Sequence, residues 1–213
     1  KLDEKTKQEK VHKDFLTFVK HVWPEFIEGP HHKKIAEKFN KIAQGKIKRL
    51  IINMPPRHTK SEFASFLLPS WMVGRKPNLK IIQSTHTTEL AIRFGRKAKT
   101  LMDSPEYKEV FKTRLNPDSQ AAGKWETEQG GEYYAAGVGS AITGRGADLL
   151  IIDLICSRLF SPTSKIISFL LILLTSIFLG FDSDSQDMSI GNIIFDEKSE
   201  LNIFFASLTR SSS

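Results

Sequence analysis

The sequence is poor in cysteine, and this scarcity excludes several classes of protein. Cys156 is the only cysteine among 213 residues, so the chain holds no internal disulfide framework and no cysteine-based zinc site. A single thiol fits a reducing compartment. No signal-peptide pattern opens the printed sequence, and we interpret the charged start at 1–10 as a solvated helix end.

Acidic residues are also under-represented, and their deficit is uneven. The chain has 24 Asp and Glu against 31 Lys and Arg, a net charge of +7. Residues 1–153 hold 27 of the basic and 18 of the acidic residues, whereas residues 154–213 hold 4 and 6. The basic character therefore belongs to the first part, where it favours a polyanionic partner.

Apolar runs alternate with segments of helical periodicity along the first 153 residues. This alternation predicts a three-layer α/β fold with a sheet dominated by parallel strands, in which ligands collect at the carboxyl ends of strands. We divide the chain into a helical lead-in at 1–27, a core at 28–153 and a tail at 154–213. The predicted helices are 14–22, 31–44, 61–73 and 88–102, the predicted strands are 48–54, 80–84 and 147–153, and a hairpin is predicted from 124–127 and 132–136.

The segment from Asn53 to Ser61 joins a predicted strand to a predicted helix and has features of a phosphate-binding loop. Backbone N–H groups at a new helix start point at any anion that lies there. Lys60 would contact the β- and γ-phosphates of ATP, and the Ser61 hydroxyl would ligate Mg²⁺. The pattern G-x-x-x-x-G-K-[ST] is broken at both glycines, where Met54 and Thr59 stand. An ordinary helix start with an exposed lysine is the alternative.

The apolar run Leu149–Asp153 ends in a carboxylate. A strand-terminal acid about 90 residues after a phosphate loop is where a nucleotidase holds Mg²⁺, so Asp153 is a candidate metal ligand. An ordinary Asp at a strand end is the alternative.

An ordered set of segments accompanies these motifs: Gly29–His32, Ile35–Ala36, Gly45, Ile47–Leu50, Met54–His58, Ser104–Tyr107, Trp125–Thr127, Gly130–Gly131, Ala135–Gly139, Ile142–Ala147 and Leu149–Asp153. In this order they resemble the ATPase domain of the tailed-phage terminase large subunit, and the resemblance spans about residues 25–153. The resemblance implies a RecA-like (ASCE) P-loop NTPase that uses ATP and Mg²⁺ to drive double-stranded DNA into a procapsid in the host-cell cytoplasm. It also implies a homo-oligomer on the phage portal protein and a small terminase subunit as a partner.

The resemblance further implies roles for single residues. Arg57 and Lys60 would stabilise charge on the transferring phosphoryl group, and the rest of the ATP-binding set is Pro56, His58, Thr59, Ser61, His31 and His32. His31 and His32 would lie near the adenine base. The alternative is that they belong to a solvent-exposed helix start.

A second implied group couples the nucleotide state to the grip on DNA. It consists of Gln83, Ser84 and Thr85 at the end of a strand, and of Arg145 in a glycine-rich loop that would present it to phosphate or DNA. Ordinary polar residues at a strand end and a plain glycine-rich turn are the alternatives.

Two departures from the family pattern predict impaired activity. Thr59 replaces a glycine, and a positive φ there would cost about 1–2 kcal/mol and lower ATP affinity about tenfold. We therefore expect Thr59→Gly to bind ATP more tightly. Leu154 follows Asp153 where the family has a second acid and then a proline. Without that acid to orient the attacking water, we expect the chain to retain ATP binding and to lose ATP hydrolysis.

The tail differs in composition from the rest of the chain. It holds 13 Ser against 7 in residues 1–153, and 25 of its 60 residues are Leu, Ile or Phe. We interpret it as sequence read after a slipped frame or an interrupting element near codon 153, with the family's nuclease domain missing. A genuine C-terminal part that completes the sheet, with a strand at 192–196, is the alternative. The apolar run 166–181 is 16 residues long, shorter than the roughly 20 that span a membrane, so we do not expect an anchor.

Three functions remain open from sequence alone. The first is a terminase ATPase domain, whole or impaired. The second is a generic P-loop nucleic-acid translocase or helicase, and the third is a non-catalytic fragment.

Overall fold

The computed structural model describes residues 2–54, 57–140, 142, 144–156 and 201–208. Residues 60–75 form one continuous helix, whose part Glu62–Leu67 is π-helical and whose part Leu68–Arg75 is α4. The other helices are α1 (Leu2–Lys13), α2 (Phe15–Val22), α3 (Pro30–Ala43), α5 (Thr88–Asp103) and α6 (Pro105–Val110). The strands are β1 (Arg49–Asn53), β2 (Lys80–Thr85), β3 (Leu115–Ala121), β4 (Lys124–Thr127), β5 (Glu132–Gly137), β6 (Leu149–Cys156) and β7 (Leu201–Leu208).

The strands form one mixed sheet in the order β1-β7-β6-β2-β5-β4-β3. β2 pairs in parallel with both β5 and β6, and β7 is antiparallel to both of its neighbours, β1 and β6. It follows that β1, β6, β2 and β5 run in one direction and end at the same edge of the sheet. The prediction of an α/β fold with a largely parallel central sheet is confirmed.

Most predicted elements are present, with small shifts at their ends. The hairpin is formed by β4 and β5, and the strand expected at 147–153 starts two residues later and continues to Cys156. Sequence reasoning did not predict α6 or β3. β3 is a polar edge strand that contains Pro117 and has an irregular register with β4, so it lacks the alternating pattern by which strands are recognised.

One face of the sheet packs against the helices. The buried side chains Ile52, Gln83, Ile151 and Asp153 share this face, as the strand register requires. The helices add a dense aromatic cluster in which the Phe15 ring contacts those of Phe18, Phe39, Phe63 and Trp71.

The opposite face is more open. Ile51 is 54% exposed there, and Leu150 and Ile152 are only partly buried. The third layer that we expected is not seen among the described residues.

Part of the tail belongs to the sheet. β7 pairs with all eight residues of β6 and all five of β1, which is the arrangement that the alternative of a genuine C-terminal part requires. The strand expected at 192–196 and the apolar run 166–181 lie outside the described residues. Within the described ranges, no helix combines the length and the apolar character needed to cross a membrane.

Candidate functional site

The candidate site lies at the edge where the parallel strands end. β1 ends at Asn53, and the chain then turns into the helix that begins at Lys60. Asp153 lies on β6, directly opposite Thr85 at the end of β2. The topology therefore gathers the candidate loop and the candidate metal ligand at one edge of the sheet, as expected for an α/β protein.

A buried ion pair joins these two parts of the chain. Lys60 Nζ lies 2.9 Å from Asp153 Oδ1, and the two side chains are only 6% and 1% exposed. Ser65 Oγ donates a hydrogen bond of 2.9 Å to Asp153 Oδ2. The sequence prediction that Lys60 and Asp153 belong to one site agrees with this contact, whereas the alternative of an exposed lysine at a helix start is wrong.

The pair is electrostatically matched but incompletely hydrogen-bonded. Neither Lys60 Nζ nor Asp153 Oδ1 makes a directed hydrogen bond within the described part of the chain, although the two atoms are in ion-pair contact. A buried ammonium group with unused N–H donors is costly unless a further acceptor approaches. A phosphate oxygen in front of the helix would be such an acceptor.

The loop before Lys60 has an unusual backbone. Arg57 and Thr59 adopt positive φ values of 65° and 59°. Threonine is strongly disfavoured in this region because its branched Cβ crowds the backbone. The expected strain at Thr59 is therefore present. Arg57 is exposed, so its side chain is accessible to a ligand in front of the loop, and Pro56 lies outside the described residues.

Oxygen ligands for Mg²⁺ are available from two of the predicted residues. Ser61 is partly buried and its side chain makes no helix-capping hydrogen bond, while Asp153 contributes a carboxylate. Hydroxyl and carboxylate oxygens suit this hard cation. Both carboxylate oxygens of Asp153 are engaged by Lys60 and Ser65, so metal binding requires Lys60 to move to another acceptor. The described residues contain no cluster of three or more His, Cys, Asp or Glu side chains that would hold a metal by itself.

The two early histidines occupy different environments. His32 is 6% exposed, and its Nε2 lies 2.7 Å from Thr59 Oγ1. Burial lowers the pKa of His32, the neighbouring His31 and His58 lower it further, and Glu28 opposes them. The His31 ring is centred 3.8 Å from that of His32 and 5.8 Å from that of His58. His32 is thus buried against the loop before Lys60. The position near the adenine base of ATP that the resemblance implies suits the less buried His31 better.

The predicted coupling segment is divided between the two faces of the sheet. Gln83 and Thr85 point to the face that carries Asp153, whereas Ser84 points to the other. Gln83 is fully buried, and both ends of its amide lack a hydrogen-bond partner in the described part. The Thr85 hydroxyl donates to the carbonyl oxygen of Thr87 at 2.6 Å. Gln83 is therefore the member of this segment with unused hydrogen-bonding capacity close to the site.

Arg145 lies elsewhere. Its Nη1 donates to Glu132 Oε1 at 2.7 Å, and its guanidinium stacks 4.0 Å from the centre of the Tyr134 ring. Glu132 is the first residue of β5 and pairs with Lys80, the first residue of β2, so this contact is at the amino ends of the strands. The loop before Lys60 is at their carboxyl ends, about 15 Å away along the strands. The structure does not bring Arg145 to this loop, since its contacts with Glu132 and Tyr134 are at the opposite edge.

Two contributors to the site escaped sequence reasoning. Ser65 follows Lys60 by five residues, a spacing that a regular α-helix does not place on one side but that the π-helical stretch permits. The bond from His32 to Thr59 joins residues 27 positions apart. No sequence motif indicates either contact.

No protein-family model, curated protein or solved structure matches the chain. Its function must therefore be inferred from the geometry of the site and from the motifs in its sequence.

Proposed function

We propose that this chain carries the ATP-binding domain of a DNA-packaging motor of the terminase large-subunit type, with a RecA-like P-loop NTPase core. The observation that supports it most directly is the buried contact between Lys60 and Asp153, 2.9 Å long, at the carboxyl ends of parallel strands. A lysine at a helix start and a carboxylate at a nearby strand end are the two side chains that such a site uses on phosphate and Mg²⁺.

Binding of ATP would exchange one partner of Lys60 for another. The N–H donors of the Lys60 ammonium have no directed partner in the described part, and the first backbone N–H groups of a helix lack intrahelical acceptors. Phosphate oxygens would accept from both groups. With Lys60 directed to phosphate, Asp153 Oδ1 and the Ser61 hydroxyl would be the oxygens that hold Mg²⁺. Mg²⁺, when bound, neutralises charge on the phosphate oxygens.

Arg57 would act on the outer side of the phosphates. It is exposed and precedes Lys60 by three residues, so a guanidinium group is available to stabilise charge on the γ-phosphoryl group. This role is carried over from the resemblance.

Hydrolysis is expected to be slow compared with binding. Leu154 stands where the family has its second acid, and β6 continues through it to Cys156, paired with β7. Position 154 therefore lies inside β6 and carries an apolar residue. Without a carboxylate there to orient water, the attack on the γ-phosphate lacks its general base.

The charge of the surface supports a nucleic-acid partner. Lys34, Lys38, Lys46, Lys48 and Arg49 are all exposed on α3 and the chain leading into β1. None of the five makes an ion pair within the described part of the chain. Such a surface suits the phosphate backbone of double-stranded DNA, and binding should weaken as salt rises. The portal protein, the small terminase subunit and the homo-oligomer are partners that the proposal takes from the resemblance.

Binding of MgATP to three proteins tests the proposal. We expect the unaltered chain to bind and Lys60→Met to bind at least about tenfold more weakly, because a charge-assisted hydrogen bond contributes about 1.5–3 kcal/mol. Lys41→Met is the matched control, since it removes a lysine from a surface pair with Glu37 on α3. Absence of MgATP binding by the unaltered chain, or equal loss in both variants, would refute a phosphate site at Lys60.

A hydrolysis assay with and without double-stranded DNA tests the second part. Turnover near zero alongside measurable binding is expected for a motor domain without its second acid. Rapid DNA-stimulated turnover would show that another group serves as general base.

A further inference from the structure

The imidazole of His32 connects the start of α3 to the loop that precedes Lys60. The Gly29 N–H donates to His32 Nδ1 at 2.8 Å, and His32 Nε2 lies 2.7 Å from Thr59 Oγ1. The Thr59 hydroxyl donates in turn to the carbonyl oxygen of His58 at 2.6 Å. A continuous chain of hydrogen bonds therefore runs from α3 into the phosphate loop.

The direction of every bond in this chain is determined by its ends. Because a backbone N–H can only donate, His32 Nδ1 must carry the lone pair and Nε2 must carry the hydrogen. Because a carbonyl can only accept, the Thr59 hydroxyl hydrogen points to His58 and its oxygen accepts from His32. The arrangement requires a neutral His32 in a single tautomer.

Packing fixes the position of the same ring. His32 is 6% exposed and its ring lies between two phenylalanines, with centroid distances of 4.8 Å to Phe26 and 5.0 Å to Phe63. Phe63 belongs to the helix that begins at Lys60, and its backbone N–H donates to the Thr59 carbonyl oxygen at 3.0 Å. Thr59 is thus held by its side chain and by its main chain.

This contact accounts for a threonine in a conformation that favours glycine. Thr59 has a φ of 59°, and such strain persists only where surrounding contacts maintain it. We propose that His32 is a positioning residue that holds the phosphate loop in this conformation through the Thr59 hydroxyl, and so presents Lys60 and the helix start to nucleotide phosphates. This inference rests on the proposed function for its ligand, but the contact it describes exists without one. A glycine at this position has no hydroxyl and would make no such bond.

A double-mutant cycle isolates the bond. His32→Phe keeps a ring between the two phenylalanines and removes both hydrogen bonds, while Thr59→Val keeps the branched shape and removes only the hydroxyl. We expect each variant to bind a fluorescent ATP analogue with Mg²⁺ at least about fivefold more weakly, because each loses the bond between His32 and Thr59 and one neutral hydrogen bond contributes about 1 kcal/mol. The double variant should be no weaker than the worse single variant, since both remove the same contact. His12→Phe, the same change on α1, should leave affinity unaltered.

A pH profile separates this role from general support of the fold. A protonated His32 would turn a second N–H towards the Gly29 N–H, so the affinity of the unaltered chain should fall as His32 becomes charged. The charged and titratable groups that face His32 are Glu28, His31 and His58. In His32→Phe the part of the pH dependence that belongs to His32 should disappear, and in His12→Phe it should remain.

Urea unfolding of the four proteins of the cycle (the unaltered chain, His32→Phe, Thr59→Val and the double variant) separates the two proposals. Losses of stability that add in the double variant would overturn the contact itself. Coupled losses in stability with unchanged nucleotide affinity in His32→Phe would overturn the positioning role. Coupled losses together with no binding of the ATP analogue by the unaltered chain would refute the nucleotide site while retaining the link between His32 and the loop.

Discussion

Removing one charge from the buried pair should destabilise the protein far more than removing both. Two unit charges 2.9 Å apart attract by about 6 kcal/mol at an effective dielectric constant of about 20. Desolvation costs several kcal/mol for each ion, so the net contribution of the intact pair is small. Asp153→Asn keeps the size of the side chain but leaves the Lys60 ammonium buried without a counter-charge. We expect it to lower the free energy of unfolding by about 3–5 kcal/mol.

Urea unfolding monitored by circular dichroism measures this loss, with linear extrapolation to water. The double variant Lys60→Met, Asp153→Leu should recover most of it, because it replaces both charges by apolar groups. Glu37→Gln is the control, since its partner Lys41 is 40% and Glu37 is 61% exposed, and it should leave the free energy of unfolding nearly unchanged because exposed pairs contribute little. An Asp153→Asn protein within about 1 kcal/mol of the unaltered chain would refute the reasoning from burial.

Four further outcomes are expected. Thr59→Gly relieves the strain of the positive φ but loses the hydrogen bond from His32, and each effect amounts to about 1 kcal/mol. Titration with ATP should therefore show a change in affinity smaller than the tenfold gain expected from the sequence. Gly95→Ala should lower the free energy of unfolding by about 1–3 kcal/mol, since a Cβ there would lie 2.5 Å from a backbone carbonyl oxygen. The pKa values of His12 and His32 lie below the usual 6.5, mainly through burial, so the unfolded chain binds more protons and stability should fall as the pH drops below about 6.5 in melts across pH. A chain ending at residue 156 lacks β7 and should melt lower and bind MgATP more weakly, whereas equal behaviour would exclude β7 from the fold.

Sequence periodicity was sufficient for the α/β core, and motif patterns singled out Lys60 and Asp153, which lie in contact in the structure. Parallel strands such as β2 and β6 are short apolar runs bounded by polar residues, and those runs are visible without a structure. Lys60 begins the helix that follows β1, and Asp153 lies on β6 level with Thr85, the last residue of β2. Their meeting follows from the topology, since strands that run in one direction end at one edge.

Contacts that depend on packing rather than on pattern could not be predicted. Arg145 lies in a glycine-rich segment typical of ligand-binding loops, but in the folded chain its side chain contacts Glu132 and Tyr134. Ser65 reaches Asp153 from within a π-helical stretch. In each case a side chain with several potential partners takes the one that tertiary structure places nearest, and sequence separation carries no information about that distance.

The place of β7 connects the unusual composition of the tail to the geometry of the site. β1 and β6 are not neighbours, because β7 lies between them, and two strand spacings amount to about 10 Å. A strand at this place is bonded on both sides, and β7 contains two Leu, one Ile and two Phe among its eight residues, the residue types in which the tail is rich. The shift in composition that suggests a slipped frame is thus also what a central strand needs. If translation of the encoding DNA in another frame after Asp153 supplies no strand for this place, β1 and β6 would have to pair with each other or the sheet would end at β6, and either change would alter the approach of Lys60 to Asp153.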